Sequence, residues 1–478
     1  MLLAAVLSGC MVGPNYIRPK ITLPDHYLGA NALTAGTAKA DLDEWWKGFH
    51  DATLDEIVDR VERQNLGIRA AEARLAQARA MARESRADLY PQGDLDVSVV
   101  RQRQSLLSPE GRLARAFPGY ARDQTLQQID AGAGWATDLA GGLHRRARAS
   151  RDEAEAAEAD RTGVRTSVVA EAADAYFAIR QVRANQNLLL AQIDADRQLA
   201  KLTAVQVAAG VATDRAEDDA RTALEADQAD LEALRDRLQR QGFRLDVLMG
   251  DVPGADPLHL RTSSHTTWSV PGIPAEIHPA ALMRRRPDVI AAERRLAAQT
   301  EDIGMAMSQY YPTLSLGGLL GFARLGTGNL FESAAFQPAL LAGIHWRLFD
   351  FGKVDAEVSR ARAGRAEALS DYRQSMLRAA EDVEAALSSL ARVDAQQRRW
   401  RRVANADAQS MASIQRSFRA GASSLVDVLR RKRTLLEARR RLATLHTDRA
   451  RATVAVFRAL GGGWSPSNAP ALTARAAP

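Results

Sequence analysis

Residues 353–420 read KVDAEVSRARAGRAEALSDYRQSMLRAAEDVEAALSSLARVDAQQRRWRRVANADAQSMASIQRSFRA, a stretch with no proline and a single glycine, Gly364. Leu369, Tyr372, Met376, Val383, Leu387 and Leu390 recur at steps of 3, 4, 7, 4 and 3, which is a heptad seam. About 68 residues of unbroken helix at 1.5 Å per residue extend roughly 100 Å. A single globular core has no use for a rod of that length. It suits a protein that crosses a gap. Gly421 then interrupts the pattern, and a second helical pattern returns to about Leu460.

The same passage occurs earlier at an offset of 211 residues: Trp135 matches Trp346, Gly141 matches Gly352, Ala209-Gly210 matches Ala420-Gly421, and Met249-Gly250 matches Leu460-Gly461. Upstream, Tyr90-Pro91 matches Tyr311-Pro312 at an offset of 221, so the first copy carries about ten extra residues between those points. The chain is therefore two copies of one unit: helix, Tyr-Pro, alternating segment, loop, alternating segment, long helix, Gly turn, long helix. At each turn the expected landmarks are Gly210 with the N-cap pair Thr213-Asp214, and Gly421.

The alternating segments carry the second decision. In Gly93 to Val99, Leu95, Val97 and Val99 alternate with Asp94, Asp96 and Ser98. Gln128 to Thr137 puts Ile129, Ala131, Ala133 and Trp135 opposite Asp130, Gly132 and Gly134. The second copy repeats this with Leu314, Leu316, Gly318, Leu320 and Phe322, and less cleanly with Leu340, Ala342, Ile344 and Trp346. Each is near ten residues, the length a tilted membrane-spanning strand needs. Residues 101–125, with Pro109 and Pro118, suit an exposed loop. Four such strands cannot close a barrel, and lipid forbids open edges, so several copies must pool their strands. The rival reading, edges of a soluble sandwich, lacks any second apolar sheet to cover them.

The chain has 478 residues, 26% of them charged, with a formal balance of +6 from 64 basic and 58 acidic side chains. The two signs are interspersed as on solvated helix faces, which gives no reason to expect nucleic acid. MLLAAVLSGC, residues 1–10, ends in the sole cysteine; Leu7-Ser8-Gly9-Cys10 reads as a bacterial lipobox with Cys10 as the lipidated residue. The run lacks a basic n-region, so a longer leader is expected upstream. Met11, rather than Asp, after Cys10 favours the outer membrane over inner-membrane retention. The expected organisation is a leader remnant at 1–9, an extended arm at 10–52, a first repeat at 53–250, a linker at 251–275, a second repeat at 276–463 and a disordered tail at 464–478. Trp45-Trp46 is expected to pack the arm onto the helices.

No phosphate-loop Gly-Lys-Ser/Thr, HExxH or GxSxG occurs, and the eight His are scattered, so no catalytic residue, metal ligand or cofactor is nominated.

Val12-Gly13-Pro14 with Tyr16, Trp45-Trp46, Arg284-Arg285-Arg286-Pro287-Asp288-Val289, Tyr311-Pro312-Thr313-Leu314-Ser315-Leu316, and Arg419-Ala420-Gly421 with Leu425-Val426-Asp427-Val428-Leu429 resemble the TolC-like outer-membrane efflux factors, in their lipoprotein branch. The resemblance runs from Cys10 to about Trp464. It implies an α+β membrane protein: a homotrimer whose twelve-stranded transmembrane β-barrel, four strands per chain, continues into a long periplasmic α-helical barrel. It implies a passive exit duct for small molecules such as drugs. Its implied partners are outer-membrane lipid, a periplasmic adaptor protein and an inner-membrane resistance-nodulation-division transporter. It also implies a periplasmic gate at Ser423, Ser424, Leu425, Val426 and Asp427, with Arg430 standing where a second Asp is common. Trp135 and Trp346 become membrane-interface aromatics. The rivals are a lipidated periplasmic adaptor, which predicts one hairpin, and a soluble coiled-coil scaffold or enzyme.

Overall fold

The computed structural model describes residues 11–19, 27, 41–255, 269–273 and 285–465. The lipobox with Cys10, much of the arm and the linker, the first residues of the second repeat and the tail from 466 lie outside the described residues. In chain order the elements are α1 (Ala52–Gln64), α2 (Leu66–Ala87), β1 (Gln92–Arg103), α3 (Pro109–Ala114), β2 (Asp123–Thr137), α4 (Gly142–Ala208), α5 (Asp214–Leu248), α6 (Pro287–Ser308), β3 (Thr313–Leu325), β4 (Phe336–His345), α7 (Lys353–Arg419) and α8 (Leu425–Ala459). The duplication is visible in the lengths: α4 and α7 each have 67 residues, α5 and α8 each 35.

Two compact units share these elements: Met1–Pro19 with Ala76–Ala156 and Ala292–Tyr372, and Lys20–Leu75 with Ala157–Ala291 and Arg373–Pro478. The first holds all four strands, joined antiparallel in the order β1-β2-β3-β4. The strands outrun the alternating residues that announced them, because hairpin hydrogen bonding continues past the last apolar side chain: Gln102 still faces Gln124, and Arg103 faces Asp123. The loop between β1 and β2 is accordingly shorter than expected and contains α3, capped by Ser108, whose side chain accepts from Gly111 N, with Pro109 in the first turn. β4 starts and ends earlier than its pattern suggested, so Trp346 lies one residue past it. Pro338 lies on β4, the terminal strand of the single chain's sheet.

The same unit anchors the N-terminal segment. Arg145 of α4 is 1% exposed; its Nε donates to Val12 O at 3.1 Å, and its Nη1 to Pro14 O at 3.1 Å. Nη2 donates to Gly13 O at 3.1 Å, and Nη1 also meets Glu301 Oε2 at 2.7 Å. The arm passes so close to α6 that a Cβ on Gly304 would stand 2.8 Å from Val12 O and 2.7 Å from Arg145 Nε.

The second unit is helical. Its main core gathers Trp45, Trp46 and Phe49 with Leu54, Ile57, Val58 and Val61 of α1, the Ala172–Tyr176–Ile179 stripe of α4, and Phe457 of α8. Trp45 stacks on Phe457 with centroids 5.7 Å apart and planes 11° from parallel, which is the packing expected of the Trp pair. Asp51, fully buried, starts α1 by accepting from Thr53 N and also accepts from Tyr176 Oη and Arg180 Nη1, both at 2.7 Å. The arginine run before α6 clamps the end of α8: Arg286 Nη1 donates to Ala459 O at 3.2 Å, and Arg285 donates to Gly461 O at 3.2 Å and Trp464 O at 2.6 Å. Ala459 O is one of the orphan carbonyls at the negative end of the helix, where a cation is favoured, and Gly461 O and Trp464 O belong to the segment that follows it. In the α7 seam Tyr372, Met376, Val383, Leu387 and Leu390 are buried, and Leu369 is half-buried.

Candidate channel elements: a two-faced sheet and two hairpin ends

Register decides what the sheet offers. Leu95 pairs with Ala131 and Val97 with Ile129; Ala131 pairs in turn with Leu320, Ile129 with Phe322, and Leu320 with Pro338. All the apolar sets therefore fall on one face. Among the described residues nothing covers it: Leu95 is 67% exposed and Leu340 94%. The opposite face carries Asp94, Asp96, Ser98, Gln128 and Asp130 on β1 and β2, with Leu319 and Leu341 on β3 and β4. Asp130 is the buried member, accepting from the Gln128 side chain and from Gln337 Nε2 at 3.3 Å. One face is fitted to hydrocarbon and the other to water.

At the end of the sheet where α2 and α6 hand over to β1 and β3, the two tryptophans do the same thing in each repeat. Trp135 Nε1 donates to Leu89 O and Trp346 Nε1 to Tyr310 O, both at 3.0 Å. Each ring thus keeps its polar atom satisfied while its body stays partly exposed beside Tyr90, Tyr310 and Tyr311. Rings with one satisfied polar atom and an exposed apolar body are of the kind enriched at membrane–water interfaces in general.

The hairpin ends belong to the helical unit. α4 closes on Gly210 (φ +71°) with Val211 N bonded to Gln206 O at 2.9 Å and Gly210 N to Val207 O at 2.9 Å. α7 closes on Gly421 (φ +74°) with Ala422 N to Ser417 O at 2.8 Å and Gly421 N to Phe418 O at 3.0 Å. Both are Schellman closures in the left-handed conformation glycine accepts most cheaply. The restarts differ. Ser424 caps α8 in a full capping box: Asp427 N donates to Ser424 Oγ at 3.2 Å, and Ser424 N donates to Asp427 Oδ2 at 3.1 Å. Thr213 occupies the N-cap position of α5 with no side-chain bond, so the capping expected of Thr213 is positional only. The residue matching Asp427 in the first repeat is Ala216, which explains the loss of the reciprocal bond.

Of the residues expected to line a gate, Ser424, Leu425, Asp427 and Arg430 are exposed and Ser423 is half-buried. Val426 is not at a surface: it packs with Leu429 against Ala195 and Leu199 of α4 and Ala220 of α5. Hydrogen bonds from the Ser424 side chain and backbone, and then the charge of Arg430, hold the Asp427 carboxyl below its usual range. Sequence reasoning missed the box, although Ser-x-x-Asp before an apolar run announces one. It also missed Arg145, for which no local signal exists.

The model of the family described as outer membrane efflux protein matches residues 57–251 and 279–462. The chain belongs to that family. The pyoverdine export outer membrane protein OpmQ of Pseudomonas putida is 31% identical to this efflux protein over 446 residues, 91% of this chain and 92% of that one. The cation efflux system protein CusC of Escherichia coli K12 is 25% identical, over 96% and 98% of the two chains. Among solved structures, the outer-membrane channel OprN superposes with a TM-score of 0.83 at 29% identity, covering 95% of this chain and all of that one. This efflux protein is thus an outer-membrane channel component. The adaptor reading falls, since it requires one hairpin and no such sheet.

Proposed function

We propose that three copies assemble as the exit duct of a tripartite efflux pump. The observation that carries this is the sheet: four strands whose outer edges, on β1 and β4, have no strand partner among the described residues, with one apolar face uncovered. In lipid both defects are removed together by closure, and three chains supply twelve strands, within the even-numbered series of such barrels. The wet face then lines a lumen. The hairpin ends meet a periplasmic adaptor and a resistance-nodulation-division transporter, and Cys10 carries a lipid that adds a tether. No chemistry is assigned to the chain; it conducts passively. Its relatives export pyoverdine or cations by name, so the conduit is common and small-molecule selection lies with the pump.

In this reading the second-repeat turn narrows the pore, with Asp427 presenting a carboxylate ring and Arg430 of each copy able to pair with it. Asp427→Asn removes the charge and keeps a capping side chain; Ser424→Ala weakens the cap and keeps the charge. If charge closes the gate, only Asp427→Asn raises conductance. Native mass and planar-bilayer recordings of the detergent-purified full chain test the whole proposal. A trimer with discrete conductance is expected; a monomer without conductance contradicts it.

A further inference from the structure

The apolar column of β1 does not run to the end of the strand. Leu95, Val97 and Val99 are followed on the same face by Arg101 and Arg103. β3 does the same, with Leu316, Gly318, Leu320 and Phe322 followed by Arg324. Through Gln127 of β2, Arg324 stands level with Val99, and Arg101 is one step further out on that face. Gln92 pairs with Gly134, next to Trp135. From there to Arg101 is about 30 Å of strand at ~3.3 Å per residue. At a tilt of 35–45° this spans roughly the 25 Å apolar band of an outer-membrane barrel. The arginines begin where hydrocarbon ends.

The connection beyond them is also basic. Arg112 of α3, Arg115 just past its end, and Arg122 are exposed. The acids at this end are Glu110, Asp123 and Glu332: Asp123 lies 3.9 Å from Arg103, and Glu332 pairs with Arg324 at 2.7 Å. Positive charge remains in excess. Leu107 (84%), Leu113 and Phe117 are exposed alongside, an apolar edging that a purely aqueous loop does not need.

We infer that this outer rim binds the phosphorylated glycolipid of the outer leaflet. Guanidinium groups bind phosphate oxygens in bidentate fashion. Arg101 and Arg324 sit two strand spacings apart and two residues out of level, about 12 Å in all. A head group bearing more than one phosphate spans that distance, which a single phosphodiester does not. The inference rests on the barrel reading, which assigns the apolar face to lipid.

The test uses the full chain purified as its oligomer in detergent, with native mass spectrometry of competition between bisphosphorylated lipid A, its dephosphorylated form and phosphatidylglycerol. Wild type should retain the bisphosphorylated glycolipid in preference to both. Arg101→Gln/Arg103→Gln should weaken that binding by about fivefold per arginine, the worth of one basic side chain at an anionic surface. Arg112→Gln/Arg115→Gln leaves the strand ladder untouched, and it carries the test if the strand variant fails to assemble. Equal binding of the phosphorylated and dephosphorylated forms, equal competition by phosphatidylglycerol, or retained preference in every variant that assembles overturns the inference. An intact oligomer without preference sinks this inference alone. A chain that never forms a detergent-dependent oligomer sinks the barrel reading instead.

Discussion

Asp196 of α4 is 2% exposed and Asp227 of α5 is 6% exposed, and they meet inside the hairpin. Burial, and then the hydrogen bond shared with Asp227, push the Asp196 carboxyl up to about 7, against the pull of Arg433 from α8 and with Glu437 adding to the rise. Gln192 Nε2 donates to Asp227 Oδ2 at 2.7 Å, fixing the pair's orientation. The folded state therefore holds a proton that the unfolded chain, titrating near 4, releases between about pH 4 and 7. Stability falls as pH rises through that window and is flat above it. Asp196→Asn should gain on the order of 1–3 kcal/mol at pH 8 and nothing at pH 4; equal melting shifts at both pH values would refute the shared proton. Arg145 makes the opposite point. Arg145→Ala strands buried Glu301 and releases three arm carbonyls, a loss of about 3–5 kcal/mol by the usual cost of breaking a buried pair. Protease sensitivity around 11–19 should rise with it; an arm protected as in wild type would contradict the anchor.

At the scale of elements, the two hairpin turns should respond alike to one substitution and differently to another. Gly210 and Gly421 share a positive φ, and no atom lies within 4 Å of where either Cβ would be. Gly→Ala at each should cost about 1–2 kcal/mol from backbone conformation alone, read as faster amide exchange in the adjoining turns. Ser424→Ala should cost about 1 kcal/mol, whereas Thr213→Ala should cost a few tenths, because only Ser424 makes the capping bond. Similar losses at both sites would contradict a capping bond confined to Ser424. These elements were legible for physical reasons. A period of two betrays a strand with unlike faces, and a seam with no proline betrays a long helix. Strand ends were not legible, since Gln102 and Arg103 continue the ladder with polar side chains that carry no apolar alternation. Val426 was misplaced because position beside a turn does not say which way a side chain faces. Arg145 was invisible because its partners are more than 130 residues distant.

The whole molecule turns on where the sheet's two faces go. A lone chain leaves Val97 64% exposed, and duplication supplies only four strands, so assembly in lipid is what completes the fold. The sequence holds one cysteine, Cys10, which leaves β1 clear for single-cysteine substitution. Cysteines placed in turn at positions 94 to 99 should be probed in intact outer membranes with a water-soluble and a lipid-soluble thiol reagent. Strict alternation is expected: positions 95, 97 and 99 react only from lipid, and 94, 96 and 98 only from water. Uniform reaction with the water-soluble reagent, or protection of all six from both, would contradict it.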